Sequence, residues 1–188
     1  MSGVTRDGAR WGNAADDRIV LVPYDAGWPA RFEAEAARVA AALAQGGLGA
    51  FQLEHVGSTA IPGLAAKPII DILVIANDGA RWPRAIAPLE GLGYVYWADN
   101  PRRDRMFFVK GMPPFGAGRT HHVHVRTKQD ARDVLAFRDH LRRDRTAAGE
   151  YERLKRQLEA SHPADRDAYT AGKSRFVAEI LSRAAAGG

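Results

Sequence analysis

The sequence predicts an α+β protein: a mixed β-sheet with flanking helices, followed by a C-terminal helical segment. Three observations support this class. Strand-like and helix-like segments alternate up to about residue 127, and beyond it the apolar residues follow helical spacing only. The run IIDILVIA at 69–76 is almost continuously apolar, which is typical of a strand buried on both faces of a sheet. A length of 188 residues favours a single domain.

The first half of the chain predicts strands around one long helix. RIVLV at 18–22 reads as a strand, and a proline at the start of 29–45 opens an amphipathic helix that two glycines end. Residues 50–56 are predicted as the second strand. The third strand spans 67–76 and carries a single acidic residue, Asp71.

The second half predicts short strands and then helices. A helix is expected at 81–92, and Ser161-His162-Pro163 separates the last two helices. The other predicted elements are strands at 94–98, 105–110 and 119–126, and helices around 134–141, 151–158 and 169–181.

These elements suggest one domain over 18–184, with a sheet core at 18–127 and helices at 128–184, preceded by a disordered tail at 1–17. The chain has no cysteine, which excludes disulfides, thiolate metal sites and a cysteine nucleophile. No signal peptide is recognisable, and no apolar run is long enough to span a bilayer. We therefore expect a cytoplasmic protein without a membrane partner.

Positive charge is concentrated in one region. The net charge is +5, and residues 99–145 hold twelve Lys/Arg against six Asp/Glu. Arginine forks match phosphate oxygens, so this region could face an anion, although a solvated surface would have the same composition. Nucleic acid is not favoured as a partner, because no RNP-like or helix-turn-helix signature is present.

The stretch 54–74 is the predicted centre of the chemistry. An ionised Asp71 inside an apolar strand is costly unless it is paired or binds a metal ion. Gly57 and Ser58 form a small turn that could present backbone N–H groups to an anion, and Ser58 could also cap the following helix. A magnesium ion held by Asp71 beside a bound phosphate fits this pattern. The alternative is an aspartate paired with an arginine or with Lys67.

The strand at 119–126 carries three histidines. Alternation places His122 and His124 on one face and His121 on the other. The first two could bind a transition metal with Asp71 or His55 as third ligand, contact a phosphate, or act as general acid or base. The alternative is polar residues on a half-exposed strand.

Arginines flank this histidine strand. They could clamp phosphates and stabilise charge during phosphoryl transfer, although each alone could be an ordinary surface charge. They are Arg102, Arg103, Arg105 and Arg119. The later pairs Arg142-Arg143 and Lys155-Arg156 are predicted to lie on solvated helix faces.

The stretch HVGSTAIPGLAAKPIIDI at 55–72 resembles the GrpB family, whose members look like nucleotidyltransferase-fold proteins. VPYDAGW, THHVHV, FRDHLR and YERLK extend the resemblance over nearly the whole chain. It implies a nucleotidyltransferase-like sheet in which Gly57-Ser58 holds nucleotide phosphates and Asp71 is the first metal-binding carboxylate of a D-x-D motif. The second position of that motif is Leu73, and no acid follows on the histidine strand.

The predicted function is metal-dependent nucleotidyl transfer from a nucleoside triphosphate to a small acceptor. Asp71, His122 and His124 are the predicted catalytic and metal-binding residues, with Mg²⁺ favoured and another divalent metal as the alternative. The predicted phosphate-binding residues are Gly57, Ser58, Lys67, Arg105 and Arg119. The alternatives are a non-catalytic module that binds a nucleotide or a coenzyme-A-like phosphate, and a histidine-based transition-metal protein or hydrolase.

Overall fold

A computed structural model of the chain describes residues 18–100, 104–112 and 116–186. The predicted α+β class is confirmed, with a five-stranded mixed sheet and helices on both of its faces. The predicted tail at 1–17 lies outside the described residues, as do Arg102 and Arg103.

The sheet has the strand order β1-β2-β5-β4-β3. Its strands are β1 (Gln52–Val56), β2 (Ile70–Ile75), β3 (Tyr94–Tyr96), β4 (Met106–Lys110) and β5 (His121–Arg126). The β2–β5 pair is parallel and the other three pairs are antiparallel. All five strands were predicted, although each is shorter than the sequence indicated.

Helices cover the sheet and continue beyond it. They are α1 (Trp28–Gln45), α2 (Ile86–Gly91), α3 (Lys128–Arg143), α4 (Arg145–Ser161), α5 (Arg166–Ala171) and α6 (Ser174–Ala186), with short 3-10 turns at Ser58–Ala60 and Gly79–Ala85. Helix α1 begins next to its predicted proline, and Thr127 and Asp144 cap α3 and α4 through their side chains.

The two faces of the sheet have different roles. Ile70, Ile72 and Val74 of β2 point toward α1 and α2 and form the main hydrophobic core. On the opposite face, Leu73 and Ile75 pack against α3. Strand β2 is therefore buried on both faces, as its apolar run predicted. Asp71 lies on the same face as Leu73 and Ile75, but near the start of the strand, where its side chain is partly exposed.

Three predicted elements are wrong. Residues 18–22 form no strand beyond one bridge between Val22 and Ala66, because the backbone N–H groups of Ile19 and Leu21 bond to Pro163 and Glu159 instead. The predicted helix at 81–92 is split into a 3-10 turn and α2, because a proline lies inside it.

The third error concerns the last predicted helix, which is two helices. Helix α5 ends at Ala171, and its C-cap is Gly172, where an added Cβ atom would lie 2.4 Å from Leu158 Cδ2 on α4. The backbone at the break thus lies close to α4, and the break also contains Lys173. The predicted domain limits stay a prediction. In the part of the chain that the structure describes, no helix is long and apolar enough to cross a membrane.

Candidate metal and phosphate site

The parallel pairing of β2 and β5 brings the predicted acid and two predicted histidines together. Asp71 lies directly opposite His122 in the register, and His124 follows two residues later on the same face. Asp71 Oδ1 is 2.9 Å from His122 Nδ1 and 3.6 Å from His124 Nε2. The predicted convergence of these three side chains is therefore present.

The site is sheltered but reachable from solvent. A quarter of the Asp71 side chain is exposed, while the two imidazoles are 12% and 19% exposed. Phe107 on β4 supports both rings: its centroid lies 5.0 Å from that of His122 and 4.8 Å from that of His124. The aromatic support fixes the rings, and the exposed part of the carboxylate gives a ligand access.

Burial and hydrogen bonding set the charges of the site. Burial lowers the pKa of His122 to about 4 and also lowers that of His124, against the attraction of Asp71. Burial acts to raise the pKa of Asp71, but its contacts with the two imidazoles outweigh this and hold that pKa well below its usual range. At neutral pH the site is therefore one carboxylate and two neutral imidazoles, the protonation states that a metal ion requires.

Each imidazole has a second ring nitrogen that is buried. His122 Nε2 and His124 Nδ1 have no hydrogen-bond partner among the described residues. Asp71, His122 and His124 each offer one ligand atom, and these three atoms lie within 4.8 Å of one another. Ligands about 2.1 Å from a tetrahedral zinc ion are about 3.4 Å apart, and the two separations from Asp71 bracket that value.

Gly57 lies against the carboxylate of Asp71, which leaves no room for a side chain at position 57. Its φ is +73°, and a Cβ atom added there would lie 2.2 Å from Asp71 Oδ2. The glycine is thus needed both for the left-handed backbone and for the approach of Asp71. The turn that the sequence linked to phosphate therefore also lies against the candidate metal ligand Asp71.

Ser58 does not cap a helix, so that predicted role is wrong. It is the first residue of the 3-10 turn, whose N-cap is Gly57, and no side-chain cap is formed. The Ser58 side chain instead faces the hydroxyl of Tyr151 on α4, where burial raises the tyrosine pKa to about 12 and the contact with Ser58 partly opposes the shift. Helix α4 therefore closes over the turn.

Arg105 and Arg119, two of the predicted phosphate-binding residues, affect the pKa values of different groups around the site. Arg105 lies over the Phe107 ring at 5.5 Å, and its charge contributes to the lowered pKa of His124. The charge of Arg119 contributes in the same way at His122 and at Lys67. These residues lie close enough to influence the site electrostatically, while their predicted contacts with phosphate stay a prediction.

His55 is not a third metal ligand, because β1 places it on the opposite face of the sheet. It pairs in register with Ile72, its ring stacks on Phe32 at 4.6 Å, and its Nε2 lies 3.1 Å from Thr59 Oγ1. A buried side chain with these partners is part of the core. Of the two candidates for a third ligand, Asp71 alone lies beside His122 and His124.

Residues of the C-terminal helices were missed by the sequence analysis. Lys155 was predicted to lie on a solvated face, but it is 1% exposed, and its Nζ donates to the carbonyl of Ala65. Tyr169 and Lys173 also pack at this end of the sheet. The spacing of Tyr151 and Lys155 does place them on one face of α4, but only the packing of α4 onto the loop before β2 shows which face is buried.

Comparison with known proteins identifies the family. The sequence profile of the GrpB protein family matches residues 18–183. The chain is 56% identical to a UPF0157 protein of Pseudomonas aeruginosa over 96% of this chain and 73% of that protein. It is also 31% identical to a dephospho-CoA kinase of Mycolicibacterium paratuberculosis, over 88% of this chain but only 46% of the kinase.

A solved structure agrees with the sequence comparison. The crystal structure of the conserved protein GrpB from Enterococcus faecalis superimposes with a TM-score of 0.76 at 35% identity, over 88% of this chain and 96% of that chain. The family profile covers far more than half of the residues, and the resemblance noted from HVGSTAIPGLAAKPIIDI is confirmed. The chain belongs to the GrpB family.

Proposed function

We propose that this protein binds one divalent metal ion through Asp71, His122 and His124, and that it uses the ion to transfer a nucleotidyl group from a nucleoside triphosphate to a small acceptor. The observation that carries the proposal is the convergence of Asp71 Oδ1 with His122 Nδ1 at 2.9 Å and His124 Nε2 at 3.6 Å. A bound ion would polarise a phosphoryl oxygen of the substrate.

The donor set favours a transition metal. Magnesium was the ion favoured by the sequence, but it prefers oxygen ligands and keeps several waters. Two imidazole nitrogens and one carboxylate are instead typical ligands of Zn²⁺, Mn²⁺ or a similar ion. We therefore propose Zn²⁺ or Mn²⁺ at this site.

The chemistry we propose uses a single ion. A second carboxylate at the position of Leu73 would be needed for a conventional two-metal arrangement, but Leu73 is fully buried against α3. Gly57 is exposed and Ser58 half-buried beside the carboxylate, so their backbone is available to a phosphate. Arg105 and Arg119 would balance its charge.

Metal binding is the first test. The protein is stripped with a chelator and titrated with Zn²⁺, Mn²⁺ and Mg²⁺ in a calorimeter. We expect one Zn²⁺ or Mn²⁺ per chain, with Mg²⁺ binding at least about tenfold more weakly. Asp71→Ala and His124→Ala should abolish binding, while His121→Gln, one position along β5 but on the opposite face, should not change it. Absence of binding by the wild type would refute the proposal.

Turnover is the second test. The metal-loaded protein is incubated with labelled nucleoside triphosphates and candidate acceptors, and released pyrophosphate is measured. Transfer predicts pyrophosphate together with a labelled acceptor. Hydrolysis, which the Asp-His-His donor set also favours, predicts pyrophosphate and free nucleoside monophosphate. If neither product appears with any triphosphate, the transferase proposal is wrong.

A second candidate is a binding module that does not turn its ligand over. The burial of Leu73 favours it, because the missing second carboxylate limits catalysis but not binding. The relative named dephospho-CoA kinase suggests a coenzyme-A-like phosphate as ligand. Calorimetric binding of such a compound without pyrophosphate release, weakened by Arg119→Ala, would support this alternative.

A further inference from the structure

Two lysines from distant parts of the sequence meet on one aromatic ring. Lys67 comes from the loop before β2, and Lys173 from the break between α5 and α6. Their Nζ atoms lie 5.1 Å and 4.6 Å from the ring centroid of Tyr169, which is 1% exposed. Attraction between an ammonium group and an aromatic ring holds each lysine in place, so the two charges are kept near each other.

Neither ammonium group has an anionic partner within the described part of the chain. The side chains of Lys67 and Lys173 make no hydrogen bond or ion pair with any of these residues, although both residues are half-buried. Buried charges are ordinarily paired. A pair of partly buried cations with no carboxylate in ion-pair contact is therefore an arrangement that an anion from outside would complete.

The surrounding charges are also positive. Burial lowers the pKa of Lys67 to about 7, and Arg166, Lys173 and Arg119 add to the effect. Burial likewise lowers the pKa of Lys173 to about 8, with Arg166 again adding to it. The negative charge of Asp71 opposes both shifts, so the lysine pair lies within electrostatic range of that carboxylate.

We propose that Lys67 and Lys173, held on Tyr169, form an anion subsite that binds the terminal phosphates of a polyphosphate ligand bridging to Asp71, His122 and His124. The two lysines and a bound divalent metal ion would together bring four positive charges, against one negative charge on Asp71. The ligand must therefore carry several negative charges. A linear di- or triphosphate fits this requirement better than a phosphate monoester. The C-terminal segment thus supplies one of the two lysines and the ring that holds both.

The identity of the ligand class rests on the proposed function, but the anion subsite can be tested without metal. Chelator-treated protein is titrated with inorganic tripolyphosphate, pyrophosphate and orthophosphate at fixed ionic strength. We expect affinity to rise in the order orthophosphate, pyrophosphate, tripolyphosphate. Lys67→Met and Lys173→Met should each weaken tripolyphosphate binding at least about tenfold, since each removes one direct charge–phosphate contact.

Controls separate charge from folding. Lys128→Met removes the same charge from an exposed position at the start of α3 and should leave the affinity within about twofold. Lys173→Arg should keep most of the binding, and thermal melting should show that each variant is folded. Unchanged affinity in folded Lys67→Met and Lys173→Met, or equal loss in Lys128→Met, would overturn the subsite.

The same titrations distinguish the two proposals. His124→Ala should lose metal binding but keep the metal-free affinity for tripolyphosphate, which would support the subsite even if no turnover is found. If metal binds normally but Lys173→Met has no effect on tripolyphosphate, the subsite is wrong while the metal proposal stands. If wild-type protein binds no tripolyphosphate with or without metal, the subsite is wrong.

Discussion

The two carboxylate oxygens of Asp71 lie against two different segments of the chain. Its Oδ1 meets the imidazoles of β5, while its Oδ2 lies over the backbone of Gly57. The sequence identified this residue because an acid in an apolar strand needs a partner. It could not show that the glycine of the adjacent turn is fitted to the carboxylate itself, since that depends on the antiparallel register of β1 with β2.

Gly57→Ala tests this fit. Alanine at φ +73° and an overlap with Asp71 Oδ2 should together lower the free energy of unfolding by about 2–3 kcal/mol. In an Asp71→Ala background the overlap with the carboxylate is gone and only the Cβ of residue 71, 3.1 Å away, stays close, so the same change should cost about 1–2 kcal/mol less. Urea denaturation of the four proteins measures the difference. Equal costs in both backgrounds would show that the carboxylate does not restrict position 57.

His55 should make stability depend on pH. Burial lowers its pKa from 6.5 to about 4, and Asp71 only partly opposes this. The unfolded chain therefore binds more protons than the folded one between about pH 6.5 and pH 4. This contribution to stability is complete above that window and is lost as the pH falls through it.

His55→Gln is the corresponding experiment. Each histidine with a lowered pKa adds to the slope, so the variant should keep a slope but one that is smaller by about 1 kcal/mol per pH unit around pH 5. Urea denaturation at several pH values between 4.5 and 7 gives both slopes. If the two slopes are the same, the ring is protonated as readily in the folded protein as in the unfolded chain.

At the scale of elements, the parallel contact of β2 with β5 assembles the site. Alternation along β5 predicted which two histidines share a face, and this is confirmed by the register. The sequence could not show that α3 packs over position 73. Both faces of a doubly buried strand are apolar, so an apolar residue there does not indicate which element covers it. The second position of the D-x-D motif, Leu73, lies under α3, which gives a structural reason for an apolar residue there.

Leu73→Asp should therefore fail to create a second metal site. The new carboxylate would lie against Ala131, Val134 and Leu135, where it has no partner. We expect a loss of about 3–5 kcal/mol in the free energy of unfolding, with no recovery in excess Mn²⁺. Leu73→Asn removes the charge and should be less destabilising. Recovery of stability together with two bound metal ions would contradict this reading of α3.

At the scale of the molecule, the C-terminal helices were predicted to cover the sheet domain, and in the structure Tyr151 of α4 contacts Ser58 in the turn beside Asp71. The sequence predicted helices around 151–158 and 169–181, but not the side of the sheet on which they would close. Lys173 was harder still, because the break between α5 and α6 that contains it was not predicted. Long-range packing of this kind leaves no periodic signal in the sequence.

The two halves of the site should be energetically coupled. A divalent metal ion at Asp71 would change the net charge there from negative to positive. It should therefore strengthen the binding of an anion to Lys67 and Lys173. We expect Mn²⁺ to raise the affinity for tripolyphosphate about tenfold, and tripolyphosphate to raise the affinity for Mn²⁺ by the same factor, because linkage between two ligands is reciprocal.

Calorimetric titration of each ligand in the absence and presence of the other measures this coupling. Mn²⁺ and tripolyphosphate also associate in solution, so His122→Ala is the necessary control: it keeps that association but removes a metal ligand from the protein. The gain in affinity should disappear in His122→Ala, and Lys173→Met should reduce it. A gain of the same size in His122→Ala would mean that the solution complex, and not the protein's own metal site, joins the two ligands.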